Sequence, residues 1–391
     1  METPIHDFLL ENARRNAIRA YMPGHNGTGD IPLSHDITEI KGAGVLWCGH
    51  DDYDDTDVIA VSERNAARLF GSRGTLYFTG GCTQAVQTGI YALKSIGVRT
   101  LFVNEYAHRS VCGTARLIGL DIRVLNAPSF LSVGFDFENT IRELAETPNA
   151  ALAITSMNYY GEELDFAELN RYVLKHAITA PIFIDDAHGA YRGFDPDIKN
   201  TPLFSIGFNG VSSVLVAESA HKTLPALTGA AYLHTLSDNF SKPFLKHCAQ
   251  VFVSTSPSYL ALESLDLCNQ IIYENRYGDG TTATDNFADI ARLKTALSDL
   301  GYTLANSDKV RVTIFTNDYG YRGVDVADII RVGNGGNSIE PEYADERAVV
   351  LLFSPIKNIP VQIITDIFAA IPRRAPIQTN TSHTPFNAFG N

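Results

Sequence analysis

The stretch Val214-Leu215-Val216-Ala217-Glu218-Ser219-Ala220-His221-Lys222-Thr223-Leu224-Pro225 opens as an apolar, β-branched run and then turns abruptly small and polar. Its first half reads as a buried strand and its second half as a tight turn carrying one lysine. A lysine held at a strand end, with a hydroxyl and an imidazole beside it, is placed to form a Schiff base with an aldehyde. The competing reading is a solvated surface lysine, since lysines are rarely buried. A phosphate cradle and an electron sink elsewhere in the chain separate the two readings.

Outward from this stretch, the chain alternates between strand-like and helix-like segments. Upstream, a helix from Ser62 ends at a Gly71 cap. Strands are predicted at 75–79, 99–104, 121–125, 150–155, 181–185 and 212–217, with helices at 82–96, 108–118, 138–146 and 165–176. Such alternation predicts an α/β fold with a mostly parallel sheet flanked by helices, in which ligands sit at the carboxyl ends of the strands. Downstream come a strand at 229–234, helices at 238–250 and 258–273, and a Gly- and Thr-rich hinge at 278–282. A helix (287–300), strand (310–316), helix (324–332), strand (349–353) and helix (361–370) then compose a small α+β domain. The expected organisation is an N-terminal arm with active-site loops (1–60), a large cofactor-binding domain (61–277), the small C-terminal domain (278–371) and an extended or disordered tail (372–391).

Composition narrows the class of function. The 391 residues are 45% hydrophobic and 19% charged, ordinary for a globular protein, and carry a formal charge of −13. That charge argues against nucleic acid or an anionic membrane as partner and favours a cationic small substrate. The cysteines, Cys48, Cys82, Cys112, Cys248 and Cys268, are scattered with no CxxC pair, as expected of reduced thiols in a cytoplasmic protein. The N-terminus, Met1 to Asp7, lacks a basic or apolar leader pattern, and no apolar run is long enough to span a bilayer. A short helical pattern (Phe8, Leu9, Ala13, Ile18) precedes irregular segments at Tyr21–Asp30 and Gly42–His50, and Asp51–Asp55 reads as a solvated acidic turn.

Three further motifs fall at predicted strand ends. In Phe78-Thr79-Gly80-Gly81-Cys82-Thr83-Gln84 a strand meets two glycines and then a helix. Glycines let backbone approach a phosphate, and the first helical N–H groups with the Thr83 hydroxyl can bind it; a plain tight turn needs similar residues. In Asn104-Glu105-Tyr106-Ala107-His108-Arg109-Ser110-Val111, the His108 imidazole is either a ring-stacking group or a helix N-cap. In Pro181-Ile182-Phe183-Ile184-Asp185-Asp186-Ala187-His188-Gly189-Ala190, an apolar strand runs into two carboxylates. A buried carboxylate there needs a cationic partner, which a protonated pyridine nitrogen would supply over the small Ala187. Asp186 reads more readily than Asp185 as a solvated strand end. A metal held by Asp185, Asp186 and His188 is the rival, but successive strand residues face opposite ways, so no metal is expected.

Together with Lys222 these motifs form a set, and the sequence resembles the Orn/Lys/Arg decarboxylase family of fold type I pyridoxal-phosphate-dependent enzymes. The resemblance is carried by Met22-Pro23-Gly24-His25, Asp36-Ile37-Thr38-Glu39, Asp185-Asp186-Ala187-His188-Gly189, Ser219-Ala220-His221-Lys222-Thr223-Leu224-Pro225-Ala226-Leu227-Thr228, Ser254-Thr255-Ser256-Pro257-Ser258-Tyr259 and, more faintly, Ile339-Glu340-Pro341-Glu342. It implies a transferase-like fold with a seven-stranded, mostly parallel sheet, pyridoxal 5'-phosphate as cofactor, and a homodimer with its active site at the subunit interface. By the same resemblance, Lys222 would form the Schiff base, Asp185 would pair with the pyridine nitrogen and His108 would stack on the ring. Gly81, Cys82, Thr83, Ser219 and His221 would surround the phosphate, Ala187 and His188 would lie against the cofactor, and Thr255 would reach the phosphate of the neighbouring subunit.

The implied activity is decarboxylation of a basic L-amino acid: arginine, lysine or ornithine. Gly80 and Cys82 stand where the family usually has asparagine and a serine or threonine, and Asn26 where a lysine is common. The longer members also continue into a further C-terminal domain beyond the position of Arg374. These departures keep open elimination, retro-aldol cleavage, transamination or oxidation of a similar amino acid, and an inactive regulatory homologue. Transamination calls for an arginine in the small domain to hold the α-carboxylate; Arg311 and Arg347 are the loose candidates, each read as a solvated strand residue.

Overall fold

The computed structural model describes residues 18–20, 58–129, 131–208, 213–255, 257–278 and 282–378. The expected N-terminal helix, the loops at 21–30 and 42–55, the Asp36–Glu39 motif, Cys48, Ser256, hinge residues 279–281 and the tail beyond residue 378 lie outside them. The described residues between 58 and 278, less 159–162, form one compact unit; 18–20, 159–162 and 282–378 belong to a second.

In chain order the elements of the first unit, after β1 (Ile18–Ala20) of the second, are α1 (Val58–Phe70), β2 (Gly74–Phe78), α2 (Cys82–Ser95), β3 (Thr100–Asn104), α3 (Arg109–Leu117), β4 (Asp121–Leu125) and α4 (Phe137–Glu146). They continue with β5 (Ala150–Thr155), α5 (Phe166–Lys175), β6 (Ile182–Asp185), α6 (Pro202–Ser205), β7 (Val214–Glu218), α7 (Ala220–Thr223), β8 (Ala231–Thr235), α8 (Lys242–Ala249) and α9 (Tyr259–Tyr277). The strands make one 7-stranded sheet in the order β2-β8-β7-β6-β5-β3-β4. β4, β3, β5, β6 and β7 run parallel, and β8 is antiparallel to both β7 and β2.

The residues explain this arrangement. Every residue of β6, β7 and β8 is buried, because helices cover both faces of a parallel sheet. β4 is the partly exposed edge strand; its Arg123 pairs with Glu143 of α4, a charged device that discourages edge-to-edge pairing. On one face, Ala85, Val86, Ile90 and Leu93 of α2 pack with Phe183, Leu215 and Leu233 of the sheet and with Leu245 of α8. On the other, Phe70 of α1 stacks on His234 of β8, and Phe204 of α6 meets the same ring at a tilt. Asp136, Asp165, Ser241 and Ser258 cap α4, α5, α8 and α9, each accepting a backbone N–H of the first turn. Cys82, Cys112, Cys248 and Cys268 are buried and free of disulfides.

The second unit contains α10 (Thr282–Asp299), β9 (Thr303–Leu304), β10 (Arg311–Phe315), α11 (Gly323–Val332), β11 (Ile339–Pro341), β12 (Tyr343–Ala344), β13 (Ala348–Leu352) and α12 (Val361–Ala369). An antiparallel sheet, β12-β13-β10-β9, packs Val312, Ile314, Val349 and Leu351 against Leu293, Val326, Ile364 and Phe368 of its helices. β1 pairs in parallel with β11. Tyr160, from the β5–α5 connection, accepts the Thr313 hydroxyl on its carbonyl at 2.8 Å, and its phenol donates to Asp345. Beyond α12 the backbone is extended, with Arg374 N–H on Tyr319 O (3.0 Å) and Ile377 N–H on Asn317 O (3.1 Å).

Two arginines depart from expectation. Arg311 is not a solvated strand residue: it is 1% exposed and paired with buried Asp308. Apolar β10 neighbours draw the side chain inward, and the carboxylate satisfies it there. Arg347 lies in the turn between β12 and β13, where its N–H donates to Asp345 Oδ1 at 2.8 Å. Among the described residues no helix is long and apolar enough to cross a membrane.

Candidate active site

β6 and β7 end side by side, with Thr155 of β5, Asp185 and Ala217 in one register row. Immediately past β7 the chain turns into the single helical turn α7, which presents His221 and Lys222. The expected tight turn is one turn of helix: Lys222 N–H reaches Ser219 O at 3.2 Å, and Leu224 N–H reaches Ala220 O at 2.8 Å. The Thr223 hydroxyl accepts the Tyr191 N–H at 3.0 Å and so joins α7 to the segment that follows β6. The same segment brings His188 to Lys222, whose Nζ lies 3.1 Å from His188 Nε2.

Asp185 is 3% exposed, and one of its oxygens accepts the Ala187 N–H at 3.2 Å. Burial pushes its pKa up, while Lys222 and His108 pull it back down. His108 caps α3, its Nδ1 accepting from Ser110 N at 3.2 Å. The N-cap role and the place beside Asp185 therefore coincide rather than compete. Desolvation lowers the His108 pKa against the opposing pull of Asp185.

The glycine turn after β2 stands at the same edge. Gly81 has a φ of +85°, a conformation other residues rarely adopt, and its N–H is held by Gly229 O at 2.8 Å. Gly229 itself has a φ of +98°, and a Cβ there would lie 2.6 Å from Thr79 O, so both glycines are needed for the close approach. The Gln84 side chain accepts the Gly80 N–H at 3.0 Å, but no side chain caps α2. The first turn of α2 thus offers backbone N–H groups and the positive end of a helix dipole to an anion. Thr83 is exposed on this turn, whereas Cys82 is buried, with its thiol pushed well up by burial and so neutral. Ser219 Oγ lies 3.2 Å from His221 Nδ1, which is also 3.1 Å from Ala230 O. Burial lowers the His221 pKa.

The structure therefore places His188 against Lys222 and gathers Asp185, His108 and Cys82 near that lysine, with Ala187 beside Asp185 and Ser219 beside His221. Thr255 is exposed on the loop after α8 and is not among these contacts. The expectation that Asp186 is a solvated strand end is overturned: it is 0% exposed, accepts the Ser156 hydroxyl and lies 3.6 Å from Arg192. Sequence reasoning also passed over Glu218, 0% exposed at the end of β7, and His234 of β8. A charged residue closing the apolar run Val214-Leu215-Val216-Ala217 was the available signal for Glu218.

A phosphorylated pyridine aldehyde needs an amine for its carbonyl carbon, a carboxylate for its ring nitrogen and an anion site for its phosphate. Lys222, the buried Asp185 close to it, and the uncapped α2 turn fit those needs. Comparison with known proteins agrees. Residues 3–298 match the family described as Orn/Lys/Arg decarboxylase, major domain. The uncharacterised protein YaaO of Bacillus subtilis is 28% identical, over 98% of this chain and 80% of its own length. An arginine decarboxylase of the same organism is 25% identical, over 90% of this chain and 74% of its own. Among solved structures, lysine decarboxylase A from Pseudomonas aeruginosa superposes with a TM-score of 0.65 at 16% identity, over 81% of this chain and 51% of that one. That likeness shows a shared fold, and the chain spans about half the length of that enzyme. The chain belongs to the Orn/Lys/Arg decarboxylase family and is a pyridoxal-phosphate-dependent enzyme.

Proposed function

We propose that this enzyme decarboxylates a basic L-amino acid of the arginine, lysine or ornithine type, with Lys222 as its Schiff-base residue. The observation that carries this reading is the meeting of Lys222 with His188 and buried Asp185 at the ends of β6 and β7, in a chain of this family. Bound pyridoxal phosphate supplies an electron sink for the pair released when a bond to the substrate Cα breaks. Asp185, kept dry and close to the Lys222 ammonium, would hold a negative charge where a ring nitrogen must stay protonated. His188, at 3.1 Å, is placed to exchange a proton with the Lys222 amine. Gly81, Cys82 and Thr83 at the start of α2, with Ser219 and His221, would hold the phosphate; His108 and the small Ala187 would lie against the ring. The formal charge of −13 favours a cationic substrate over an acidic one.

In this reading residues 61–277 bind the cofactor and 278–371 form the small domain, and the protein works as a cytoplasmic homodimer in which Thr255 serves the partner's phosphate. Burial of Arg311 against Asp308 removes one of the two candidates for a transaminase-type carboxylate clamp. The deciding experiment incubates the reconstituted enzyme separately with arginine, lysine and ornithine and follows carbon dioxide release and amine products by mass. Release from one of the three supports the proposal. No carbon dioxide from any of them, with the cofactor bound, overturns it.

A further inference from the structure

The opposite face of the same strand ends carries a line of buried polar groups that the cofactor chemistry leaves unused. Thr75 Oγ1 lies 2.8 Å from His234 Nδ1, and His234 Nε2 lies 3.4 Å from Glu218 Oε2. Asp186 and Glu218 directly follow the paired residues Asp185 and Ala217 on neighbouring strands, so their buried side chains lie side by side on one face, and Asp186 accepts the Ser156 hydroxyl. Thr75 is on β2, His234 on β8 and Glu218 on β7, while Asp186 and Ser156 immediately follow β6 and β5; these are successive neighbours across the sheet. Glu218, Asp186, His234 and Ser156 are 0% exposed and Thr75 is 1% exposed. Gly189 leaves the space this needs, since a Cβ there would come within 2.0 Å of Asp186 Oδ2.

Two carboxyl groups side by side inside a dry interior cannot both be ionised at modest cost. The nearby cation is Arg192, 3.6 Å from Asp186 and shared with Glu163 at 3.2 Å. His234 is pushed down to about 3 by burial and is a neutral imidazole, Tyr232 of β8 is a neutral phenol, and Cys82 of α2 is a neutral thiol. Asp185 adds a further negative charge on the cofactor side. One guanidinium cannot neutralise two carboxylates and Glu163 as well, and among the described residues neither Asp186 Oδ2 nor either Glu218 oxygen has a hydrogen-bond donor. A carboxylic acid donating to a carboxylate satisfies both groups at once.

We propose that Asp186 and Glu218 hold one proton between them, an acid–carboxylate hydrogen bond that ties the end of β7 to the end of β6. Each group is chained to a residue of the active site: Asp186 follows Asp185 directly, and Glu218 leads through Ser219 into the turn that carries Lys222. Glu218 is therefore a positioning residue, and the positioning half of the inference rests on the cofactor site described above. The proton itself does not.

The pair binds its proton only when folded, because both carboxyls ionise in the ordinary range once the chain unfolds. Unfolding of the cofactor-free protein at pH 6.5, followed calorimetrically in two buffers of different ionisation enthalpy, counts the protons released. Wild type is expected to release about one proton more than Glu218→Gln, in which the amide replaces the acid as donor. Equal release overturns the shared proton. Should Glu218→Gln fail to fold, Asp186→Asn supports the same count with the same overturning result. For positioning, Glu218→Gln should bind pyridoxal phosphate within about twofold of wild type and Glu218→Ala about tenfold more weakly, a change of about 1.4 kcal/mol. Wild-type affinity in a folded Glu218→Ala would show that the pair does not position the site. The proton count uses neither cofactor nor substrate, so failure of the decarboxylation proposal leaves it standing.

Discussion

Asp185 and Asp186 are consecutive, equally short and both buried, yet they sit on opposite faces of one sheet in opposite chemical settings. Asp185 meets Lys222, His108 and the Ala187 N–H, all of which favour the ionised form. Asp186 lies near Arg192 and Ser156 but also beside the Glu218 carboxyl, and burial pushes both carboxyls well up. Desolvation raises both aspartates, so burial alone does not assign a role. The partners do: an ammonium, an imidazole and an N–H keep a carboxylate ready for a protonated ring, whereas a second carboxyl turns its neighbour into a proton holder.

The cofactor face should give the largest effects. Lys222→Ala is expected to abolish turnover and the visible band that borohydride fixes covalently on the chain; a fixed band in the variant would place the Schiff base elsewhere. Asp185→Ala should cut turnover by on the order of a hundredfold or more, the scale of losing a group that stabilises developing charge, with circular dichroism unchanged. A near-normal rate would mean the two aspartates have been assigned to the wrong faces. On the structural side, Gly229→Ala forces a Cβ toward Thr79 O at a φ of +98° and should cost about 1–3 kcal/mol in denaturant unfolding. Ser156→Ala removes one donor to Asp186 and should cost about 1 kcal/mol with little change in cofactor binding.

The pH dependence sharpens the same contrast. The shared proton is bound more tightly in the folded chain than in the unfolded one, so its contribution to stability is full below the ordinary carboxyl range. It is lost in one step as pH rises past neutrality. The thermal midpoint of the cofactor-free protein should therefore fall between pH 5 and pH 8.5, and Ser156→Ala should fall in parallel from a lower start.

Much of this frame was legible from residues. The alternation of apolar runs with amphipathic segments placed β2 to β8 and their helices within a few residues, because a buried parallel strand needs a continuous apolar run. The glycines after β2, the carboxylate after β6 and the lysine after β7 announced a site at the strand ends. The one-turn helix α7 and the short strands β9, β11 and β12 were not legible, since two to four residues hold no period. Arg311 was misread because a charged residue in a strand looks solvated until its buried partner Asp308 is seen.

The sequence by itself determined that this chain is a layered α/β protein, that Lys222, Asp185 and the glycine turn lie at strand ends, and which family it resembles. These follow from local periodicity and from residue types whose chemistry has few uses. Only the tertiary structure decided that Asp186 turns away from Asp185 to meet Glu218, that His188 reaches Lys222, and that His108 both caps α3 and stands beside the site. Each of those depends on strand order and on which face a side chain takes. Sheet order brings together residues far apart in the chain, and contact with them sets whether a buried carboxyl keeps its charge or its proton.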